Sequence, residues 1–294
     1  MSLHLLIREF FFTCRRFVLP NPTTGKEAQT IIADMLRSSS PCMIGRFGSV
    51  EIQATLNGVL PPPLNLFLQN RTYTYLLNNA GFFPVNRKTV KQFAKLMIAC
   101  MKECDCLASW RIEEVFFLKY LKQAARISLG SLSPSNEAGD YAWYRVLKGK
   151  KVLVISPFAE LIEQQYRNKR TRIWNNPNIL PEYTSLETIK SVNSVGGHCD
   201  FHSWFDALDY MKKEIDKKDF EIAILGCGAY GFPLAAYIKS IGKKAVHVGG
   251  TTQLIYGIKG KRWEKRDFIN DAWVSPRPED RPKGFEKVES GCYW

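Results

Sequence analysis

The chain has 294 residues, 45% of them hydrophobic, and carries 41 Lys and Arg against 28 Asp and Glu, a formal net charge of +13. That apolar content excludes a disordered chain and supplies a large core for one large domain or two ordinary ones. The positive excess predicts anionic partners, whether nucleoside diphosphates, acidic lipid headgroups or nucleic acid; no recognised nucleic-acid motif is present, so nucleic acid is not expected.

Residues 3–19, LHLLIREFFFTCRRFVL, are too short and too charged (Arg8, Glu9, Arg15, Arg16) for a membrane span, and they lack the small-residue cleavage site of a signal peptide. An aromatic, basic helix of this kind suits an anionic membrane surface, packing on the protein, or pairing of subunits in a homo-oligomer, and these alternatives stay open. Eight cysteines without a C-x-x-C pair read as reduced thiols, which places the chain in the cytoplasm, at most peripheral to a membrane.

Thr24-Gly25-Lys26-Glu27 is a capping-box signature, and Ile31, Ile32, Met35 and Leu36 give the following helix one apolar face. Residues 42–45 read as a short buried strand that runs into Arg46-Phe47-Gly48-Ser49-Val50-Glu51, and Pro61, Pro62 and Pro63 break the helix after it. Phe93, Leu96, Met97 and Cys100 recur at helical spacing; a strand over 106–110 then precedes a helix from Glu113. Residues 140–147 are helix-like, 151–155 form a β-branched strand, and a helix opens at Ala159. Residues 167–183 are basic, then rich in Asn and Pro, and predict an exposed loop. A strand is expected over 191–195. After it comes a polar loop holding His198, Asp200 and His202, and then a helix striped by Trp204, Leu208, Met211 and Ile215.

Residues 220–250 read strand, turn, helix, strand, with Gly226, Gly228 and Gly231 spaced G-x-G-x-x-G. Such a turn brings backbone N–H groups of a helix N-terminus to a diphosphate, whose charge the helix dipole favours. An NAD site would add a carboxylate at the end of the second strand. That strand instead ends in His247, Gly249 and Gly250, so a different diphosphate ligand is expected. The basic run Lys259-Gly260-Lys261-Arg262-Trp263 should return to the same face and offer Lys261 and Arg262 to phosphate, and the chain closes with a Pro-rich tail ending in Tyr293 and Trp294. The pattern predicts an α/β fold, Rossmann-like, with a mainly parallel sheet and helices on both faces. One domain over 23–264 is expected, between an N-terminal segment 1–22 and an extended tail 265–294.

Two stretches together, GRFGSVE (45–51) and AVHVGGTTQLIYGIKGKRW (245–263), resemble the glycosyltransferases of the GT-D fold. In that family an early strand ends in an R-F-G-D-G-E-like sequence whose carboxylates serve a metal and a nucleotide-sugar diphosphate, and a late strand–helix–strand unit closes the sheet near the nucleotide. Arg46, Phe47, Gly48 and Glu51 match the early motif, while Ser49 stands where the family has Asp and Val50 where it has Gly. His247 stands where the late motif has its acidic residue, and Gly249 matches its glycine.

The resemblance implies transfer of a sugar from a nucleotide diphosphate donor, a UDP-sugar favoured, to a glycan or lipid-linked acceptor in cell-surface polysaccharide synthesis. Glu51, Asp200, His202 and His247 are the candidate catalytic groups. Arg46, Gly48, Ser49, Gly226, Gly228, Gly231, Gly249, Gly250, Lys261 and Arg262 are the candidate donor-binding groups. Glu51, with the Ser49 hydroxyl, is the candidate ligand for Mn²⁺ or Mg²⁺; the alternative is that basic residues neutralise the leaving diphosphate in the ion's place. An NAD(P)-dependent oxidoreductase and a non-catalytic anion- or membrane-binding protein are the rival readings.

Overall fold

A computed structural model describes residues 19–61 and 64–294, so most of the aromatic N-terminal segment lies outside the described residues. Seven strands form the sheet: β1 (Cys42–Gly45), β2 (Cys106–Ser109), β3 (Ala125–Ser128), β4 (Lys151–Ser156), β5 (Ser185–Lys190), β6 (Ile222–Leu225) and β7 (Lys244–His247). They lie in the order β3-β2-β1-β7-β6-β4-β5 and every pair is parallel. All strand carboxyl ends therefore point to one edge, where open α/β sheets bind ligands.

Alternating side chains sort the strands into two cores, as a sheet covered on both faces requires. Cys42, Ile44, Cys106, Ala108, Val152, Val154, Ile222, Ile224 and Val246 face helices α1 (Gly25–Arg37) and α5 (Ala159–Ile173) together with the C-terminal segment. Met43, Leu107, Leu153, Ile155, Ala223, Leu225 and Ala245 face α2 (Ser49–Val59), α3 (Leu64–Asn78), α4 (Arg87–Lys102), α6 (Trp204–Asp216) and α7 (Gly231–Ser240). The late β6–α7–β7 unit does not close the sheet at an edge. β7 pairs with β1 on one side and β6 on the other, so it lies at the centre.

Four local expectations are corrected. Helix α1 starts after Thr24 as its sequence suggests, but the Thr24 side chain makes no capping hydrogen bond. The basic run after Ala159 continues α5 to Ile173; Arg167 and Arg172 take its solvent side, while Ile173, Trp174, Ile179, Leu180 and Tyr183 are buried. The fifth strand is Ser185–Lys190, a half-exposed edge strand, and residues 191–195 are the loop after it. Ser-Val-Asn-Ser-Val reads as a strand because its valines are β-branched, yet no neighbour remains to pair with it beyond the edge. Residues 112–120 and 143–147 are 3-10 rather than α-helical.

From Trp263 the chain returns along the first face. Trp273 donates to the Ile173 carbonyl at 3.0 Å and Trp294 to that of Asp280 at 3.0 Å. Residues 276–294 run through single 3-10 turns, and Trp294 is buried against Phe158 and Phe285.

The glycines of the G-x-G-x-x-G turn have unequal duties. A Cβ at Gly231 would stand 2.1 Å from the His247 ring, and one at Gly226 would stand 2.5 Å from Thr252, whereas a Cβ at Gly228 meets nothing within 4 Å. Gly231→Ala is expected to lower the urea midpoint by the equivalent of about 1–3 kcal/mol of overpacking, with an unchanged m-value. Gly228→Ala, strained only by its φ of +57°, is expected to cost less. Equal midpoints for the two variants would show that α7 does not press on β7 as described.

Candidate functional site

A cavity of about 410 Å³ opens at the carboxyl edge of the sheet, and residues after all seven strands line it. Arg46, Gly48, Ser49 and Glu51 follow β1, Trp110 follows β2, and Gly226, Cys227, Gly228 and Tyr230 follow β6. His247, Gly249, Gly250, Thr252 and Gln253 follow β7, while Asn79, Ala80 and Gly81 enter from the end of α3. The parallel β1–β7 pairing thus places the early Arg-Phe-Gly motif beside the late glycines.

Arg46 is fixed on both faces. Its guanidinium lies 5.3 Å from the centroid of the Trp110 ring, and on the other side a Cβ at Gly249 would approach its Nη1 to 3.2 Å. Gly249 has a φ of +78°, so the left-handed turn and the close approach both call for glycine. Trp110 is itself held, donating from Nε1 to the Phe47 carbonyl at 2.8 Å and from its backbone to the fully buried Glu114 at 2.9 Å. Arg46 Nε is buried without a hydrogen-bond partner.

Glu51 sits in the first turn of α2, where its carboxylate bends back over Gly48: a Cβ there would lie 1.6 Å from Oε2. Both Arg46 and Glu51 keep some surface open to the cavity, yet protein crowds them enough for burial to dominate their acidity. Burial raises the Glu51 carboxyl above its ordinary range; the Arg46 charge opposes this and that of Glu289 adds to it. Burial lowers the Arg46 guanidinium, against the pull of Glu51.

His247 is 3% exposed, with Nδ1 3.3 Å from the Leu225 carbonyl. Burial first, and the Arg46 charge second, push its pKa down to about 3, so the ring is neutral and a poor general base near neutral pH. Asp200 and His202 are exposed and do not line the cavity; Phe201 between them packs on the Tyr210 ring of α6, centroids 5.2 Å apart. Lys261 is exposed and also outside the lining, because the 3-10 turn Lys261–Trp263 presents Arg262 instead.

Arg262 forms an ion pair with Glu289, donates to the Tyr293 hydroxyl at 3.0 Å and lies 4.9 Å from the centre of that ring. Glu289 (φ +47°) and Ser290 (φ +58°) are the described non-glycine residues in the left-handed region. Such strain is held by its surroundings, here at a carboxylate in the cavity wall.

The glycine turn is braced from below. Tyr230 stacks on Trp204 at 4.8 Å, and its hydroxyl pairs with Ser194 Oγ at 2.8 Å, which in turn meets the Gly81 carbonyl at 2.7 Å. Thr252 Oγ1, beside Gly226, is a second buried atom in this wall without a hydrogen-bond partner.

The donor set of a divalent ion is incomplete. Among the described residues no three His, Cys, Asp or Glu side chains gather to hold a metal. Glu51 shares the cavity with the Ser49 hydroxyl and the positive charge of Arg46, and the other carboxylate of the lining, Glu289, is paired with Arg262.

Trp110, Glu289, Tyr293 and the loop 191–195 were missed from sequence. The only trace of them was aromatic or polar residues after a strand, and a tail ending in two aromatics. His247 generates a pH prediction. Its folded pKa lies below the unfolded value of about 6.5, so its contribution to stability is complete above pH 6.5 and lost as pH falls towards 3. His247→Gln is expected to flatten the fall of unfolding free energy between pH 6 and 4.5 by up to about 1.4 kcal/mol per pH unit. Urea titrations of both proteins across that range check it, and parallel slopes would show that His247 is not buried as a neutral ring.

No protein-family model and no curated protein matches the chain. Three solved structures are similar to it. One, a selenomethionine-substituted domain of unknown function 1792, is 13% identical, with a TM-score of 0.48 over 90% of this chain and 94% of that one. A second, described as the same domain with a distinct glycosyltransferase fold, is 12% identical, with a TM-score of 0.48 over 92% and 96%. The third, described as a new glycosyltransferase from Streptococcus sanguinis, is 9% identical, with a TM-score of 0.42 over 88% and 96%.

Proposed function

We propose that the chain is a glycosyltransferase that uses a nucleotide diphosphate sugar. The observation that carries this reading is the meeting, in one cavity, of Arg46 and Glu51 after β1 with Gly226, Cys227, Gly228 and Tyr230 of the glycine turn after β6. Two stretches resembling parts of one family, read from opposite ends of the sequence, come together only because β1 and β7 are neighbours. Oriented backbone N–H groups and a fixed guanidinium are groups that bind a diphosphate and stabilise the charge it gains as it leaves. The wall formed by Phe158 and Trp294 suits the flat face of a base or sugar.

In the reaction an acceptor hydroxyl attacks the anomeric carbon, the bond from that carbon to the diphosphate oxygen breaks, and the nucleoside diphosphate takes the electron pair. For an inverting transfer the hydroxyl proton passes to a base. Glu51 is the best placed: His247 is too weakly basic, and Glu289 is engaged by Arg262. The acceptor in this reading is a glycan or lipid-linked sugar in cell-surface polysaccharide synthesis, and the net charge of +13 suits work at an anionic membrane face.

A thermal-shift screen of nucleotide sugars tests the reading. A donor at about 100 times its dissociation constant stabilises the fold by about 2.7 kcal/mol, and a UDP-sugar should lead. Silence across UDP-, GDP-, ADP- and CMP-sugars would sink the assignment. Glu51→Gln is expected to keep the wild-type melting temperature and lose about 10²–10⁴ in turnover. Because the raised carboxyl must be ionised to accept a proton, wild-type turnover should fall as pH drops through the Glu51 pKa. A pH-independent rate would remove the residue from this role.

A further inference from the structure

We propose that Arg46 takes the place of a divalent cation in this site, so that a nucleoside diphosphate binds there without metal. The inference rests on the diphosphate reading above and concerns how that ligand is held.

Three observations meet at Arg46. First, Arg46 lines the cavity and its Nε is buried without a hydrogen-bond partner, so a donor of a charged group is left open where desolvation makes that costly. Second, the guanidinium is clamped between the Trp110 ring and Gly249, which fixes its plane before any ligand arrives. A planar fork held in one orientation matches two oxygens of a phosphate, a geometry that lysine cannot copy. Third, the described ion pairs include the cavity's other arginine, Arg262, with Glu289, but none of Arg46. Glu51 acts on Arg46 only through space.

The same arrangement is hostile to a divalent ion. Glu51 has its Oε2 bent back over Gly48, the cavity's other carboxylate, Glu289, is already paired with Arg262, and an ion bound to Glu51 would stand near the positive charge of Arg46. With Asp in place of Ser49 a pair of carboxylates would outweigh that charge; with Ser49 it does not. The unpartnered Thr252 Oγ1 adds a neutral donor in the same cavity wall.

Isothermal titration of the full chain with UDP, and with GDP and ADP in parallel, is made once in EDTA and once in excess MnCl₂. The expected result is one dissociation constant, equal within about twofold in the two conditions. Arg46→Gln should weaken binding in EDTA by about ten- to a hundredfold, and Arg46→Lys should recover only part of that because the charge returns without the fork. Ser49→Asp should make binding tighter in MnCl₂ than in EDTA. Binding that appears only with Mn²⁺ in the wild type overturns the proposal while leaving the donor assignment intact. Wild-type affinity for UDP in a folded Arg46→Gln also overturns it. Absence of binding by all three nucleotides in both conditions overturns the diphosphate reading, and this inference with it. If Arg46→Gln does not fold, the wild-type comparison and Ser49→Asp decide alone.

Discussion

The pairing of β1 with β7 in the middle of the sheet is the constraint on which the site depends. Each strand is only four residues long and buried on both faces, so its register admits no slip that would leave apolar side chains in water. That register ends the two strands level with each other, so the side chain of Arg46, the first residue after β1, reaches Gly249, two residues after β7. The left-handed φ at Gly249 then opens the slot into which the guanidinium fits. A side chain at 249 would strain the turn and displace Arg46 together, so two glycine requirements coincide at one residue.

Charge in the cavity is organised in two tiers. At the rim, Arg262 pairs with Glu289 and donates to the Tyr293 hydroxyl, which ties the C-terminal segment to the mouth. On the floor, Arg46 and Glu51 influence each other without a contact, and the nearby imidazole of His247 stays uncharged under the same guanidinium. A protonated ring at 247 would be a buried charge, and a like charge beside Arg46, so burial first and the guanidinium second keep it neutral.

Much of this was legible in the sequence because it follows from periodicity and backbone chemistry. The β1 strand, the strand-turn-helix over 222–240 and the stripe of α6 stand where apolar spacing and glycine punctuation put them. Within the site, Arg46, Glu51 and the glycine turn were visible as residues at strand ends. What was not legible depends on strand order and on distant packing. Nothing local distinguishes Lys261 from Arg262, and the single 3-10 turn decides which of them faces the cavity. Asp200 and His202 looked like chemistry because histidines are rare here, yet their loop follows the edge strand β5, Phe201 between them packs on Tyr210 of α6, and neither lines the cavity. Gly231 looked like a phosphate glycine, and its main duty is to let α7 lie on the His247 ring. The strand expected over 191–195 was displaced because propensity cannot say where a sheet ends.

The through-space link between Arg46 and Glu51 also sets what a bound diphosphate does to the base. In the free protein the Arg46 charge lowers the Glu51 carboxyl against the rise caused by burial. An anion that engages Arg46 removes that offset and adds negative charge nearby, and both effects favour the protonated carboxyl. In the proposed transfer, donor binding would therefore make Glu51 a stronger base as the acceptor hydroxyl arrives, and departure of the nucleoside diphosphate would restore the weaker one and help it release its proton. A metal at the same place would act with the opposite sign as long as it stayed, since its charge holds a carboxylate ionised and unreactive. Under the proposed function, Arg46 and Glu51 would thus couple donor occupancy to basicity, and both lie in the Gly45-Arg46-Phe47-Gly48-Ser49-Val50-Glu51 stretch after β1.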